Sequence, residues 1–285
     1  MRLTYIILLV FSISCNSSTP STLEKVRALD LNFIGGDIKT YYSAGYEDRA
    51  EANLHLLSQS TRFFAEHFTV DQTFSIAVID SADWKKITSI TYGLPFVSGP
   101  PYIVCIPANS ENVLSNTIAT AIDGYELNAK YGITNKEIVD LFVSLIGFHE
   151  LGHIYANSYG ATFPNKWTFE FAATYFAYFY LDQNFTRERD IWIDVSEILV
   201  KEINPQYTTL DDFEEMYVNV GVENYAWFQV VFLLQVEKVY KYQGKAFLNK
   251  LQNHTWNPTS KTEYLNEMDN IGGGFTKWAQ QYKLQ

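Results

Sequence analysis

Residues 134–153 read TNKEIVDLFVSLIGFHELGH, and the fold around them follows from this stretch. Thr134 or Asn135 can cap a helix N-terminus, and Glu137 adds a carboxylate to the first turn, where it favours a helix start. Four residues then follow at intervals of four: Leu141, Leu145, His149 and His153. This spacing puts them on one face, so the stretch predicts a helix whose inward face ends in two histidines.

The last five residues of the stretch form the pattern H-E-x-x-H, from His149 to His153. Because the two imidazoles share a helix face, both can reach a single metal ion. Glu150 points in a neighbouring direction, where it can act on a water molecule rather than on the metal. The alternative is a pair of core histidines bonded to backbone, with Glu150 in solvent. The pattern predicts a catalytic metal site with Glu150 as its base.

A third ligand is expected, because a catalytic zinc ion keeps three protein ligands and one open position. A histidine soon after His153 would indicate a metzincin, but the next histidine is His254. Glu170 lies in the segment WTFEFAATY, where a buried carboxylate is costly unless it is paired or bound to metal. We predict that His149, His153 and Glu170 bind one zinc ion per chain. Three acidic residues are the next candidates for the third position: Asp182, Glu188 and Asp190.

These segments resemble the gluzincin metallopeptidases, a family that includes thermolysin and the aminopeptidase N type. In relatives of aminopeptidase N the third-ligand helix reads W-x-x-E-x-x-A-x-Y, which this chain matches at Trp167, Glu170, Ala173 and Tyr175. The segment from Tyr225 to Gln229 resembles the family's helix with a transition-state tyrosine, and Gly244–Leu248 resembles its G-x-x-F-L segment. By this resemblance Tyr225 stabilises the developing oxyanion. The alternative is a tyrosine that only packs in the helical core.

The resemblance implies an α+β fold, with a small mixed sheet upstream of the HExxH helix and a mostly helical lobe after it. We expect an N-terminal lobe over 31–160 and a helical lobe over 161–285. Alternation predicts a strand over 73–79, and Tyr102–Ile106 is the candidate edge strand along the cleft, which would pair with substrate backbone. A buried central strand is the alternative. Helices are predicted over 46–68, 166–182, 187–203, 211–219, 223–242 and 244–252.

The first 14 residues have the pattern of a signal peptide, with Arg2 followed by a short apolar run. Cys15 follows a small residue and precedes a stretch rich in serine and threonine, which resembles a bacterial lipoprotein signal. We therefore expect a lipid on Cys15, a tether over 15–30, and a location in the bacterial cell envelope, on the periplasmic or outer-membrane face. The alternative is secretion after ordinary cleavage.

Composition narrows the range of partners. The formal net charge of -11 argues against nucleic acid and against a basic surface that binds anionic lipid. With Cys15 lipidated, Cys105 has no partner and is expected to be an inert core thiol. The sequence thus predicts a zinc-dependent peptidase acting on peptides or proteins. Two alternatives remain: an aminopeptidase-like hydrolase, and a non-catalytic envelope protein that keeps the fold and binds a peptide or protein partner. The lack of a G-x-M-E-N segment means that aminopeptidase specificity does not carry over.

Overall fold

A five-stranded mixed sheet forms one part of the protein, as seen in a computed structural model that describes residues 19–70, 72–258 and 260–285. Its strands are β1 (Asn32–Ile34), β2 (Thr40–Tyr42), β3 (Phe74–Ile79), β4 (Phe96–Ser98) and β5 (Tyr102–Pro107). Their order is β1-β2-β3-β5-β4, with β2, β3 and β5 parallel and both outer strands antiparallel. The mixed α+β class expected from the sequence is therefore observed.

Helices make up most of the remaining chain. They are α1 (Thr22–Arg27), α2 (Glu47–Leu57), α3 (Ser60–Phe68), α4 (Ser81–Ile87), α5 (Val113–Ile122), α6 (Leu127–Tyr131), α7 (Asn135–Ser158), α8 (Lys166–Asn184), α9 (Thr186–Glu202), α10 (Leu210–Met216), α11 (Val222–Gln243), α12 (Ala246–Gln252), α13 (Lys261–Ile271) and α14 (Phe275–Gln281). A 3-10 turn, Tyr217–Val220, connects α10 to α11. One continuous cluster of buried residues extends from Ile38 to Leu284, so the two predicted lobes share a core.

The prediction of Tyr102–Ile106 as the edge strand is wrong. β5 lies between β3 and β4, and its alternative reading as a buried central strand is the one observed. The edge strand next to β5 is β4, where the sequence suggested only a turn-rich break over 93–101. A three-residue strand flanked by glycine and proline has too few residues to show alternation, so its sequence does not distinguish it from a loop.

Two predicted helices differ from the observed ones. The stretch 46–68 contains two helices, α2 and α3, and the hydroxyl of Ser60 donates to the carbonyl of Leu57 at the junction. A side chain that bonds local backbone in this way competes with the helical hydrogen bonds. The stretch 211–219 is helical only to Met216, after which the 3-10 turn begins. The ranges predicted over 166–182, 187–203, 223–242 and 244–252 agree with α8, α9, α11 and α12 to within about two residues, the usual uncertainty at helix ends.

The expected tether over 15–30 is wrong for the segment that forms α1. Ser21 and Glu24 make a capping box, and Leu23 and Val26 are buried against α4 and the sheet. The S-x-x-E signal for this helix start was present in the sequence, but a helix of six residues buries too little to show a periodic pattern. Cys15 and residues 1–14 lie outside the described residues, so the lipid anchor and signal peptide stay predictions.

Helix α7 runs through the core and packs against β4, β5 and α8. Of the two predicted N-cap residues it begins with Thr134, which forms a capping box with Glu137, each side chain bonding the other's backbone. Among the described helices it is long and apolar enough to cross a membrane, but 78% of its apolar window is buried inside the protein, which is typical of a core helix. At Gly152 an added Cβ would lie 2.0 Å from the carbonyl oxygen of Ala173, so α8 passes directly over this glycine.

Candidate metal centre

The two histidines of α7 lie side by side, as their spacing predicts. Both are buried, and their ring centroids are 4.7 Å apart. The Nε2 atoms of His149 and His153 approach to 3.1 Å. Because both rings project from one helix face toward α8, they present their Nε2 atoms to the same point.

Glu170 on α8 completes the group. Its side chain is fully buried, and its Oε2 lies 2.9 Å from Nε2 of His149 and 3.4 Å from Nε2 of His153. The three ligand atoms all lie within 4.8 Å of one another, so His149, His153 and Glu170 form a group that could hold a metal ion. The structure thus brings together the three residues predicted as ligands.

The other acidic candidates belong to a different cluster. Asp182 and Asp190 both pair with Arg189, and Glu188 lies 3.9 Å from Arg187. None of the three joins the histidine group among the described residues. Their charges are balanced by arginine, which explains their place near the surface without a metal ion.

Thr174, one turn after Glu170, contacts His149 through its hydroxyl. Its Oγ1 lies 2.9 Å from the carbonyl oxygen of Glu170 and 2.9 Å from Nδ1 of His149. When the hydroxyl proton goes to the carbonyl, Oγ1 can accept from an Nδ1–H of His149. In that tautomer Nε2 carries the lone pair that a metal ligand needs.

The contact between His149 and Glu170 requires a positive charge between its two atoms. Nε2 of His149 lies 2.9 Å from Oε2 of Glu170, so either a proton on Nε2 or a bound cation must separate the ring nitrogen from the carboxylate oxygen. Burial alone would raise the pKa of Glu170, but the neighbouring histidines outweigh burial and hold this pKa well below its usual value. Burial alone would lower the pKa of His153, but the charge of Glu170, its hydrogen bond and the charge of Glu150 together outweigh burial and raise this pKa. A buried anionic carboxylate among imidazoles suits a cation.

Two further side chains hold Glu170 from the other side. The hydroxyl of Tyr217 donates to Oε1, and the amide of Gln229 donates to Oε2 at 2.9 Å. Burial, and next the charge of Glu170, raise the pKa of Tyr217, so its hydroxyl keeps the proton that it donates. Glu170 therefore has a hydrogen-bond donor on each oxygen, besides its close contacts with the two histidines.

Glu150 lies beside the group without belonging to it. Its Oε2 accepts from the backbone N–H of Val97 on β4 at 3.0 Å. Burial raises the pKa of Glu150 above its ordinary value, although the charges of both histidines act in the opposite direction. The arrangement leaves a carboxylate of increased basicity next to the candidate metal position.

A cavity of about 590 Å³ lies beside these residues. Glu150 and both histidines belong to its lining. Its walls come mainly from apolar side chains on α5, α7, α9 and α11: Leu114, Ile118, Phe142, Ile146, Trp192, Leu199, Val222, Val230 and Leu233. A mostly apolar cavity with a few convergent polar groups is typical of a small-molecule or substrate site.

Tyr225 lines the same cavity from α11. Its ring lies 6.0 Å from that of Tyr217 and stacks on Phe213. Burial, and then the charge of Glu170, hold the pKa of Tyr225 well above its usual value, so its hydroxyl is protonated. The segment Gly244–Leu248 does not reach the site; the carbonyl of Gly244 instead accepts from Tyr175 on α8.

Four residues of the site were not predicted from the sequence: Val97, Thr174, Tyr217 and Gln229. Helical spacing could have identified two of them, because Thr174 and Gln229 each follow a predicted site residue by four positions on a helix. No sequence pattern identifies the other two. Val97 and Tyr217 reach the site from a short edge strand and from a 3-10 turn, which no periodicity describes.

Comparisons of this chain with protein-family models, with curated proteins and with solved structures find no match.

Proposed function

We propose that this protein is a zinc-dependent peptidase of the gluzincin type, which hydrolyses peptide bonds. The observation that carries the proposal is the convergence of His149, His153 and Glu170 beside a cavity that both histidines and Glu150 line. Two imidazoles and one carboxylate, with a separate carboxylate beside them, form the group of residues that metal-assisted hydrolysis requires.

The residues present fit zinc. Two imidazole nitrogens and one carboxylate oxygen form the His₂Glu ligand set of catalytic zinc sites, which leaves a position for water or substrate. The contact between Thr174 and Nδ1 of His149 holds the ring and supports the tautomer whose Nε2 lone pair a metal ligand needs. When bound, zinc supplies a Lewis acid that polarises a peptide carbonyl and lowers the pKa of a coordinated water.

Glu150 is the proposed general base. It accepts a proton from the attacking water and delivers it to the leaving amine, and its raised pKa suits both steps. The backbone N–H of Val97 holds one of its oxygens, which orients the carboxylate toward the cavity. Tyr225 lines the cavity with a protonated hydroxyl, and we propose that it donates a hydrogen bond to the developing oxyanion.

The cavity favours substrates with a large apolar side chain near the scissile bond. Its walls are apolar over most of their area, and burial of apolar substrate surface there contributes binding free energy. Cleavage of a peptide library followed by mass-spectrometric mapping of the products would show this preference. The same map distinguishes cleavage within a chain from the removal of N-terminal residues, which is the aminopeptidase-like alternative.

Replacement of Glu150 by glutamine tests the proposal most directly. We expect Glu150→Gln to keep its zinc, because the residue is not a ligand, and to lose roughly 10²- to 10⁴-fold in the rate of peptide cleavage. Zinc content is measured by elemental analysis after dialysis, and cleavage with the peptide library. Glu188→Ala, which removes a carboxylate away from the site, is the matched control.

Two results would contradict the assignment in different ways. A Glu150→Gln variant that cleaves as fast as the parent would remove Glu150 from the mechanism. A parent protein that binds zinc but cleaves no member of a broad library would favour the non-catalytic envelope protein, which binds a peptide or protein partner without hydrolysing it.

A further inference from the structure

The carboxylate of Glu170 is bonded on both oxygens, but by different kinds of partner. Oε2 faces both histidines and also accepts from Gln229. Oε1 accepts from the hydroxyl of Tyr217. A carboxylate can rotate about its last bond, so the partner that holds Oε1 also fixes the direction in which Oε2 points.

Tyr217 is held in an unusual backbone conformation. Its φ of 48° lies in the left-handed region, which a residue with a large side chain rarely adopts. Such conformations persist where the surrounding structure fixes the residue, and they cluster at functional sites. Here the ring makes edge-to-face contacts with Phe213 and Tyr225, and the ammonium group of Lys166 lies 5.4 Å from its centroid.

The position of Gln229 makes it a poor substitute for this hydroxyl. Its amide donates to Oε2, the same oxygen that the histidines approach. A metal ion bound by the histidines and Oε2 would compete with this amide for the lone pairs of one oxygen. Tyr217 is the only partner of Oε1 among the hydrogen bonds of the described residues.

We propose that Tyr217 is a positioning residue for the metal site: its hydroxyl holds Oε1 of Glu170 and so directs Oε2 toward His149 and His153. This inference rests on the proposed function, because it assigns a role within the same metal centre. The two tyrosines of the cavity then have different roles. Tyr217 acts on the ligand Glu170, whereas Tyr225 is placed to act on the substrate.

Metal affinity of the variant Tyr217→Phe tests this role. The change keeps the ring and the backbone and removes only the hydroxyl. We expect the dissociation constant for zinc to rise about 10- to 100-fold, the usual loss when a group that orients a metal ligand is removed. The constant is measured by competition with a chromophoric chelator. The visible absorption of the cobalt-substituted protein should also change, because the carboxylate can then offer a different oxygen geometry to the ion.

Two phenylalanine variants serve as comparisons. Tyr225→Phe removes the neighbouring hydroxyl of the cavity and should keep zinc affinity within about threefold of the parent while it slows cleavage. Tyr175→Phe removes a buried hydroxyl from α8, where it donates to the carbonyl of Gly244, and should leave zinc affinity unchanged. Together they distinguish a specific effect on Glu170 from a general loosening of the aromatic core.

The outcomes separate the two proposals. Equal zinc affinity and equal cobalt spectra in Tyr217→Phe and the parent would overturn the positioning role and leave the zinc site intact. A parent that binds neither zinc nor cobalt would overturn the proposed function together with this inference. A loss of zinc affinity in Tyr175→Phe as large as that in Tyr217→Phe would show a general loosening of the aromatic core and would overturn the positioning role.

Discussion

The candidate metal centre is built from two unlike parts of the chain. On one side, α7 and α8 are long regular helices that supply His149, His153 and Glu170. On the other side, the edge strand β4 and the turn Tyr217–Val220 supply the groups that contact Glu150 and Glu170. Residues on regular helices can be placed by counting along the sequence. Residues on short irregular segments are placed only by the packing of the whole molecule.

The two sides also differ in how they are held. On the helical side the backbones pack closely, with α8 directly over Gly152 of α7. On the irregular side, single hydrogen bonds from Val97 and Tyr217 cross to the site, and the φ of Tyr217 is positive. We expect changes on the helical side to affect the fold or the whole site. Changes on the irregular side should affect the geometry of one carboxylate.

Removal of Glu170 should have the largest effect. We expect Glu170→Ala to lose more than the roughly 100-fold in zinc affinity that changes around a metal site typically cost, because it removes a ligand itself. Zinc content after dialysis provides the measurement, with Glu188→Ala as the control. Retention of stoichiometric zinc by Glu170→Ala would show that the third ligand lies elsewhere. The helical side would then not supply all three ligands.

The close packing of the helical side predicts unequal effects for two glycines of α7. In Gly152→Ala the new Cβ would lie 2.0 Å from a backbone carbonyl, so we expect the free energy of unfolding to fall by about 1–3 kcal/mol or more. In Gly147→Ala the Cβ meets only the flexible end of Ile106, 2.9 Å away. There the gain in helix propensity, about 1 kcal/mol, should offset most of the crowding.

Urea unfolding of the metal-free proteins gives both free energies. The matched pair separates crowding from propensity, since both variants make the same replacement in the same helix. Equal stabilities of Gly152→Ala and Gly147→Ala would mean that α7 and α8 are further apart than described.

A smaller effect is expected at Thr174, which orients a ligand from within the helical side. Thr174→Val keeps the shape of the side chain but removes the acceptor for Nδ1 of His149. We expect zinc affinity to fall about tenfold, the lower end of the range for such groups, because the ring stays packed in place. Titration with zinc against a chelator measures the change.

Thr168→Val is the control for this change. Thr168 is also buried on α8, but its hydroxyl bonds Asn165 and not a histidine. A loss of zinc affinity in Thr168→Val as large as that in Thr174→Val would indicate a general effect of removing a buried hydroxyl from α8. Thr174 would then have no specific role in orienting His149.

The sequence predicted the helical side of the site in detail. The spacing of His149 and His153, and a carboxylate among apolar residues at Glu170, were enough to predict a shared metal group, since helical geometry relates position in sequence to position in space. The same reasoning failed for the edge strand and for Tyr217. A three-residue strand and a four-residue 3-10 turn are too short for periodicity, and the contacts of both segments span about 50 residues of sequence.

By itself, the amino-acid sequence determined which residues could bind a metal ion and that they lie on two buried helices. A regular helix places residues four apart on one face, and a carboxylate among apolar residues is costly to bury unless it is paired or bound to metal. Only the tertiary structure decided that β4 is the edge strand beside Glu150, that Tyr217 reaches Glu170, and that an apolar cavity lies beside the site. These features depend on which surfaces meet when sheet and helices pack, and contacts between distant segments have no local pattern.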